Sequence, residues 1–303
     1  MNSNLKKYYT NKGLLFSLID SKGELFNPNP FCLVNNFLSD NFKDKNATLN
    51  YYNNLLHLNI SEEQEKGYLF DYDPDSNTII SKNTKSDIYA LIHIASVDKY
   101  KKEIGIISDN KGYGLNTGIN ELYAKKISGC KESFPLETTV AEVLDKIDRD
   151  ALGEAYFCNN NTDLIKLIGE DNYSKLLKLV DIYHDTYILL HNLYNEKFAI
   201  ERYYFNSIYG RDLKKNNVRL IEIDTKIEHL EYYNYTVTYD IIHLLTNIIS
   251  ECNFLEDNIK LKYLDKLEKK LNKIFSKPEF MYLNDLSNEV LKNNSVNKLV
   301  KKK

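Results

Sequence analysis

The amino-acid sequence predicts a mainly helical α+β fold, with a small N-terminal sheet packed on two helices and a helical lobe after them. Three observations carry this. Five Pro and 11 Gly among 303 residues are few for a turn-dense all-β chain. Short β-like runs occur only before about residue 85. From Ser86 onward, apolar residues recur at helical spacing. The expected division is a mixed α/β part over residues 1–135 and a helical part over 136–303, as two domains or one continuous one.

Taken in order, "GLLFSLID", "GYLFDYD" and "NTIISK" read as strands between Gly, Asn, Asp and Pro turns. "DYDPDSNT" is acidic but lacks EF-hand spacing and its terminal Glu, so it reads as a turn before a strand. Ser86 suits an N-cap with Asp87 in the first turn, and Ile88, Leu91, Ile92 and Ala95 form the core stripe of that helix. Tyr89 and His93 share a second face, one turn apart. "EIGIIS" reads as extended and "DNKGYGLNTG" as a loop. A second helix then runs through "LNTGINELYAKKIS", with Leu115, Ile119 and Leu122 inward and Thr117 and Glu121 on another face. Gly118 inside it costs about 1 kcal/mol relative to Ala, which predicts close packing there. Beyond Phe134, "PLETTVAEVLDKI", "NTDLIKLIG", "YSKLLKLVDIYHDTYILLHNLY" and "TVTYDIIHLLTNIISE" read as helices. So does "IKLKYLDKLEKKLNKIF", with Leu261, Leu264, Leu267, Leu271 and Ile274 on a core-facing stripe. The tail "NKLVKKK" is expected to fray.

Composition narrows the function classes. A net charge of −3 gives no drive towards nucleic acid or an anionic membrane. The 24 Tyr, absent Trp and abundance of Asn, Lys and Ile follow the bias of an AT-rich genome, so the tyrosines alone do not mark a binding role. No run reaches the roughly 18 apolar residues of a membrane span, and the N-terminal apolar run is too interrupted for a signal peptide. Cys32, Cys130, Cys158 and Cys252 are scattered without a CxxC pair, as expected of free thiols in a cytoplasmic protein.

Several landmarks occur together in a familiar order. "GYLFDYDPDSNTIIS" leads into "YALIHIAS"; then come "GLNTGINELYAKKI" and "GEAYFCNNNTDLIKLI". This order resembles zinc peptidases of the gluzincin type and the small bacterial and phage proteins similar to them. There, one helix carries HExxH and a second carries the third ligand within Asn-Glu-Gly-x-x-Glu. The resemblance covers about residues 68 to 170. It implies a zincin-like pair of motif helices with a strand-turn-strand before them.

The chemistry is where this sequence departs. Tyr89 and His93 stand at the two histidine positions, Ala90 replaces the general-base glutamate, and Thr117 replaces the third ligand. His93, Asn116, Gly118 and Glu121 remain, and the resemblance implies an outer-shell, ligand-orienting role for Glu121. A catalytic zinc needs about three protein ligands, and Tyr89 would have to lose a proton with a pKa of about 10. The vestigial positions are therefore Tyr89, Ala90, His93, Asn116, Thr117 and Glu121. Neither catalytic nor metal-binding residues are expected, and zinc is not expected as a cofactor.

The expected function is a catalytically inactive, metallopeptidase-like protein with a peptide-binding, protein-binding or structural role. One alternative is an active zinc hydrolase rewired around His93 and Glu121, with a third ligand from Asp87, His57 or His184. A second is a purely structural helical protein with no site. Two further patterns have plain readings. His184 and His191 lie two turns, about 10 Å, apart on one helix, too far for one ion. "GYGLNTG" lacks the Lys-Ser/Thr ending of a phosphate loop.

Overall fold

The computed structural model describes residues 4–10, 13–19, 29–42, 47–55, 59–61, 72–73, 76–80, 84–98, 103–129, 132–205, 217–253 and 255–275. Ten helices dominate these residues, as the helical periodicity requires. Contacts divide the chain into two units, Met1–Glu170 and Asp171–Lys303. The helix that starts at Pro135 packs on the one before it, within the first unit.

Strands β1 (Asn4–Thr10) and β2 (Gly13–Ile19) pair antiparallel, with Asn4 opposite Ile19. Strands β3 (Asn59–Ser61), β4 (Tyr72–Asp73) and β5 (Thr78–Ile80) form a patch of order β3-β5-β4. The turn read in "DYDPDSNT" falls at Ser76–Asn77, where Asn77 takes a positive φ of 50°. Strands β6 (Val97–Asp98) and β7 (Glu103–Ile104) make a third, minimal pairing. Among the described residues, the strands form three separate small sheets in place of the single small N-terminal sheet expected from the sequence.

The reason is helical chain between the strands. Helix α1 (Asn29–Asn41) and helix α2 (Ala47–Leu55) occupy stretches of the mixed N-terminal part to which the sequence reading assigns no element. Their asparagines are weak helix formers, which hides them from propensity. Their apolar spacing is helical all the same. Phe31, Val34 and Leu38 lie at i, i+3 and i+7, and all three are buried.

Helix α3 (Thr84–Ala95) begins before Ser86, which lies in its first turn rather than at the cap. Helix α4 (Tyr113–Ser128), α5 (Pro135–Ile147), α6 (Arg149–Phe157) and α7 (Thr162–Ile168) complete the first unit. Sequence sets their ends. Pro135 opens α5, the Asp148 side chain accepts from Ala151 N at 2.8 Å to cap α6, and Gly129 closes α4 at a φ of 67°. Helix α3 packs on α1, α2 and α4, and α4 also packs on α5. Every residue of α4 from Gly114 to Ala124 is buried. An aromatic cluster supports this interior. Tyr123 of α4 stacks on Phe157 at 5.7 Å, and Phe42 lies 5.3 Å from Tyr123 and 4.8 Å from Phe157, centroid to centroid.

The second unit is built from long helices. Helix α8 (Glu170–Phe205) and helix α9 (Val218–Glu251) run antiparallel, as the pairs Glu196–Arg219 at 2.7 Å and Tyr194–Glu231 at 2.7 Å show. Leu190 and Leu193 meet Ile223 and Ile227 between them. Helix α10 (Asp257–Phe275) packs on α9. In α10 the predicted stripe is partly shifted. Leu264 and Leu267 are buried, together with Tyr263 and Lys260, but Leu261 is only half-buried. The side chains of Leu271 and Ile274, and the tail "NKLVKKK", lie outside the described residues. Among the described residues, no helix is long and apolar enough to cross a membrane.

Gly118 gives the tightest test of this packing. A Cβ there would overlap the carbonyl oxygen of Glu137 on α5. Gly118→Ala is expected to lower unfolding stability in urea by about 1–3 kcal/mol, because the backbone contact cannot yield cheaply. A gain of about 1 kcal/mol, the bare helix-propensity effect, would contradict the close approach.

Candidate functional site

The six site positions singled out above fall on α3 and α4. Along α3, Ala90, Leu91, Ile92, Ile94 and Ala95 are fully enclosed and Tyr89 is buried. Asn54 of α2 holds the C-terminal end of this helix, donating from Nδ2 to Ile94 O at 2.8 Å and Val97 O at 2.9 Å. Ser96 donates from its backbone N and its Oγ to His93 O, at 3.0 and 2.8 Å. These bonds satisfy carbonyls that a helix end leaves open. Burial pushes the His93 imidazole down to a pKa of about 4, so it is neutral at pH 7.

The turn after β7 is fixed by two asparagines. Gly105 adopts a φ of 54°, and its carbonyl accepts from Asn159 Nδ2 at 2.6 Å. Asn116 Oδ1 accepts from Ile106 N at 3.2 Å and lies where a Gly105 Cβ would be. A side chain at 105 is therefore excluded by both conformation and space. Asn116 thus serves as a loop anchor. Gly105 and Asn159 were not singled out in the sequence. "EIGIIS" reads as uninterrupted extended chain, and only the glycine inside it hinted at a bend.

Glu121 has the most informative geometry. Its Oε1 accepts from Ser133 N, and its Oε2 accepts from Phe134 N at 2.7 Å. Phe134 is the N-cap residue of α5 and supplies no side-chain cap of its own. A carboxylate from the neighbouring helix fills that role, satisfying two backbone donors and placing negative charge at the positive end of a helix dipole. Glu121 is 3% exposed, and this burial raises the value of each bond. The α4–α5 contact is held again further along. There Lys126 Nζ meets Asp145 Oδ2 at 2.7 Å, with burial pushing the lysine pKa down against the pull of the carboxylate.

Of the six positions the sequence expects to be vestigial, Tyr89, Ala90, Asn116, Thr117 and Glu121 are buried, and His93 is partly exposed as a residue while its ring Nε2 is enclosed. The helices that carry them pack directly on one another. Of the residues named as substitute ligands, His57 and the Asp87 side chain lie outside the described residues, and His184 is in the second unit. His184 is buried on α8 whereas His191 is exposed. Among the described residues, no three His, Cys, Asp or Glu side chains converge as a metal-binding group. Cys32, Cys158 and Cys252 are free thiols, and Cys130 lies outside the described residues.

No protein-family model, curated protein or solved structure matches this chain.

The depressed His93 pKa has a measurable consequence. The unfolded imidazole takes a proton near 6.5, but the folded one does so only near 4. Its contribution to stability is whole above pH 6.5 and is lost as the pH falls towards 4, by up to about 3 kcal/mol. Unfolding free energies of wild type and His93→Gln, compared from pH 7.5 to 4, should show a shallower acid slope for the variant. Parallel slopes would contradict the burial of this imidazole.

Proposed function

We propose that this protein acts in the cytoplasm without peptide hydrolysis, as a binding or structural module. In this reading, its first unit is a zincin-like framework in which the catalytic positions now serve packing. The reading includes one finer architectural point, that the short strands before α3 take the place of the sheet that leads into the first motif helix of a gluzincin-type peptidase. The partner is a protein or peptide segment, with no role for nucleic acid, membrane or zinc.

One observation carries this reading. Glu121, the carboxylate that survives from the motif, accepts two backbone N–H groups at the start of α5. To serve as a ligand or base it would have to release both donors inside the protein, at a cost of about 1–3 kcal/mol for each one left unsatisfied. Two further points support it. Ala90 at the position of the base is fully enclosed, and Tyr89 at the position of the first ligand is buried. Neither can activate water as a glutamate and a metal-bound histidine do.

Metal analysis after purification without chelator tests the proposal, alongside cleavage of a peptide library with added zinc. The expected result is a zinc content far below one per chain after dialysis, with no cleavage above the buffer rate. Stoichiometric zinc that is lost in His93→Ala, or cleavage abolished by Glu121→Gln, would overturn it in favour of a rewired hydrolase.

A further inference from the structure

The second unit carries an exposed strip that its own architecture leaves half-built. Helix α9 bears two parallel rows of side chains. One row runs its whole length as Ile248, Leu244, Ile241, Val237, Asn234, Leu230, Ile227, Ile223 and Leu220, alternating steps of four and three. At its distal end this row meets α8 through Leu190 and Leu193. The adjacent row starts in the same way, with Ile249, Leu245, Ile242 and Thr238 all buried. Continued at the same spacing, it becomes Tyr235, Glu231, Glu228 and Asp224, half-buried and then exposed.

The change falls where α10 ends. Helix α10 returns along α9 after a short connection, and its 19 residues reach about 28 Å at about 1.5 Å per residue. That length takes it from Glu251 back to about the level of Tyr233. Beyond that level, among the described residues, the two-helix hairpin continues without α10. On the α8 side of the same edge stand Tyr187, Tyr194 and Phe198, at i, i+7 and i+11. Tyr194 Oη donates to Glu231 at 2.7 Å and Lys197 meets Asp224 at 2.6 Å, which places both helices' residues on one edge. Phe198 is 65% exposed and Tyr194 44%. Two large aromatics on one helical edge, bordered by Asp224, Glu228 and Glu231, form an apolar strip with an acidic margin.

We propose that this strip is the docking surface for the chain's own C-terminal segment, residues 278–303. Three features of the chain favour this occupant. The segment continues from the end of α10, at the level where the strip begins. Its sequence, "PEFMYLNDLSNEVLKNNSVNKLVKKK", places Phe280, Leu283, Leu286 and Val290 at spacings of three, three and four, an apolar face of the kind the strip lacks. From Lys277 onward it also has six lysines against three acidic residues, complementary to the acidic margin. Docking would cover the exposed aromatics of α8 and leave the carboxylates of α9 at the margin, where the lysines can meet them. The inference concerns the second unit alone and stands independently of the function proposed for the first.

Hydrogen exchange on the full chain tests it, comparing wild type with the double variant Leu283→Asp/Leu286→Asp. The expected result is exchange faster by about tenfold or more in residues 187–198 and 224–235 of the variant, with α3 to α5 unchanged. Phe198→Ser in an otherwise native chain should accelerate the same two segments. Equal exchange in wild type and the double variant would overturn the proposal. So would light scattering that shows a dimer dissociated by Phe198→Ser but not by the tail variant, since the occupant would then be a second copy.

Discussion

The first unit is organised around the burial of α4 on every side. A helix with one face in water can place its polar residues there, but α4 has no such face between Gly114 and Ala124. Its Asn116 and Glu121 must therefore find partners inside the protein, where an unsatisfied polar atom costs about 1–3 kcal/mol. Asn116 takes the amide of Ile106 and Glu121 takes the two amides that open α5. Those bonds fix the turn before α4 and the start of the helix after it. Gly118, pressed against the Glu137 carbonyl, fixes the separation of α4 and α5. The rest of the unit packs around this constrained helix, with α3 directly against it and the Phe42–Tyr123–Phe157 cluster at its Tyr123.

In the proposed reading, this arrangement would let a metallopeptidase-like sequence pattern persist without its chemistry. In the reading proposed above, Glu121 and Asn116 have uses that do not require a metal, so losing ligands at positions 89 and 117 leaves them in place. Ala90 and Tyr89 then act as ordinary core residues at positions where a charged base or an unfilled ligand site would be costly. The account separates the geometry of the framework from the chemistry of the site.

Much of this architecture was legible in the sequence. The periodicity of α4, α5, α8 and α9 stood out because each buries a long apolar row, and Gly118 signalled its close contact by interrupting a helix. Helices α1 and α2 were not legible, because Asn-rich segments look like loops by propensity while their burial is decided by tertiary contacts. The start of α3 was misplaced because the sequence offers two cap-like residues, Asn83 directly before the helix and Ser86 three residues on, and the second was chosen. At the site, the sequence could single out Glu121 as a carboxylate on α4. It could not show that its partners would be the backbone amides of Ser133 and Phe134, since backbone donors leave no trace in residue identity.

The central claim is that Glu121 is a capping carboxylate for α5 and not a ligand in waiting. Unfolding free energy measured at neutral pH for Glu121→Gln, with hydrogen exchange of α5 followed in the same samples, addresses it directly. The amide retains one acceptor oxygen and turns an NH2 donor towards a backbone donor. The account predicts a loss of about 1.5–3 kcal/mol with faster exchange at the first turn of α5. Unchanged stability and unchanged exchange in α5 would contradict it.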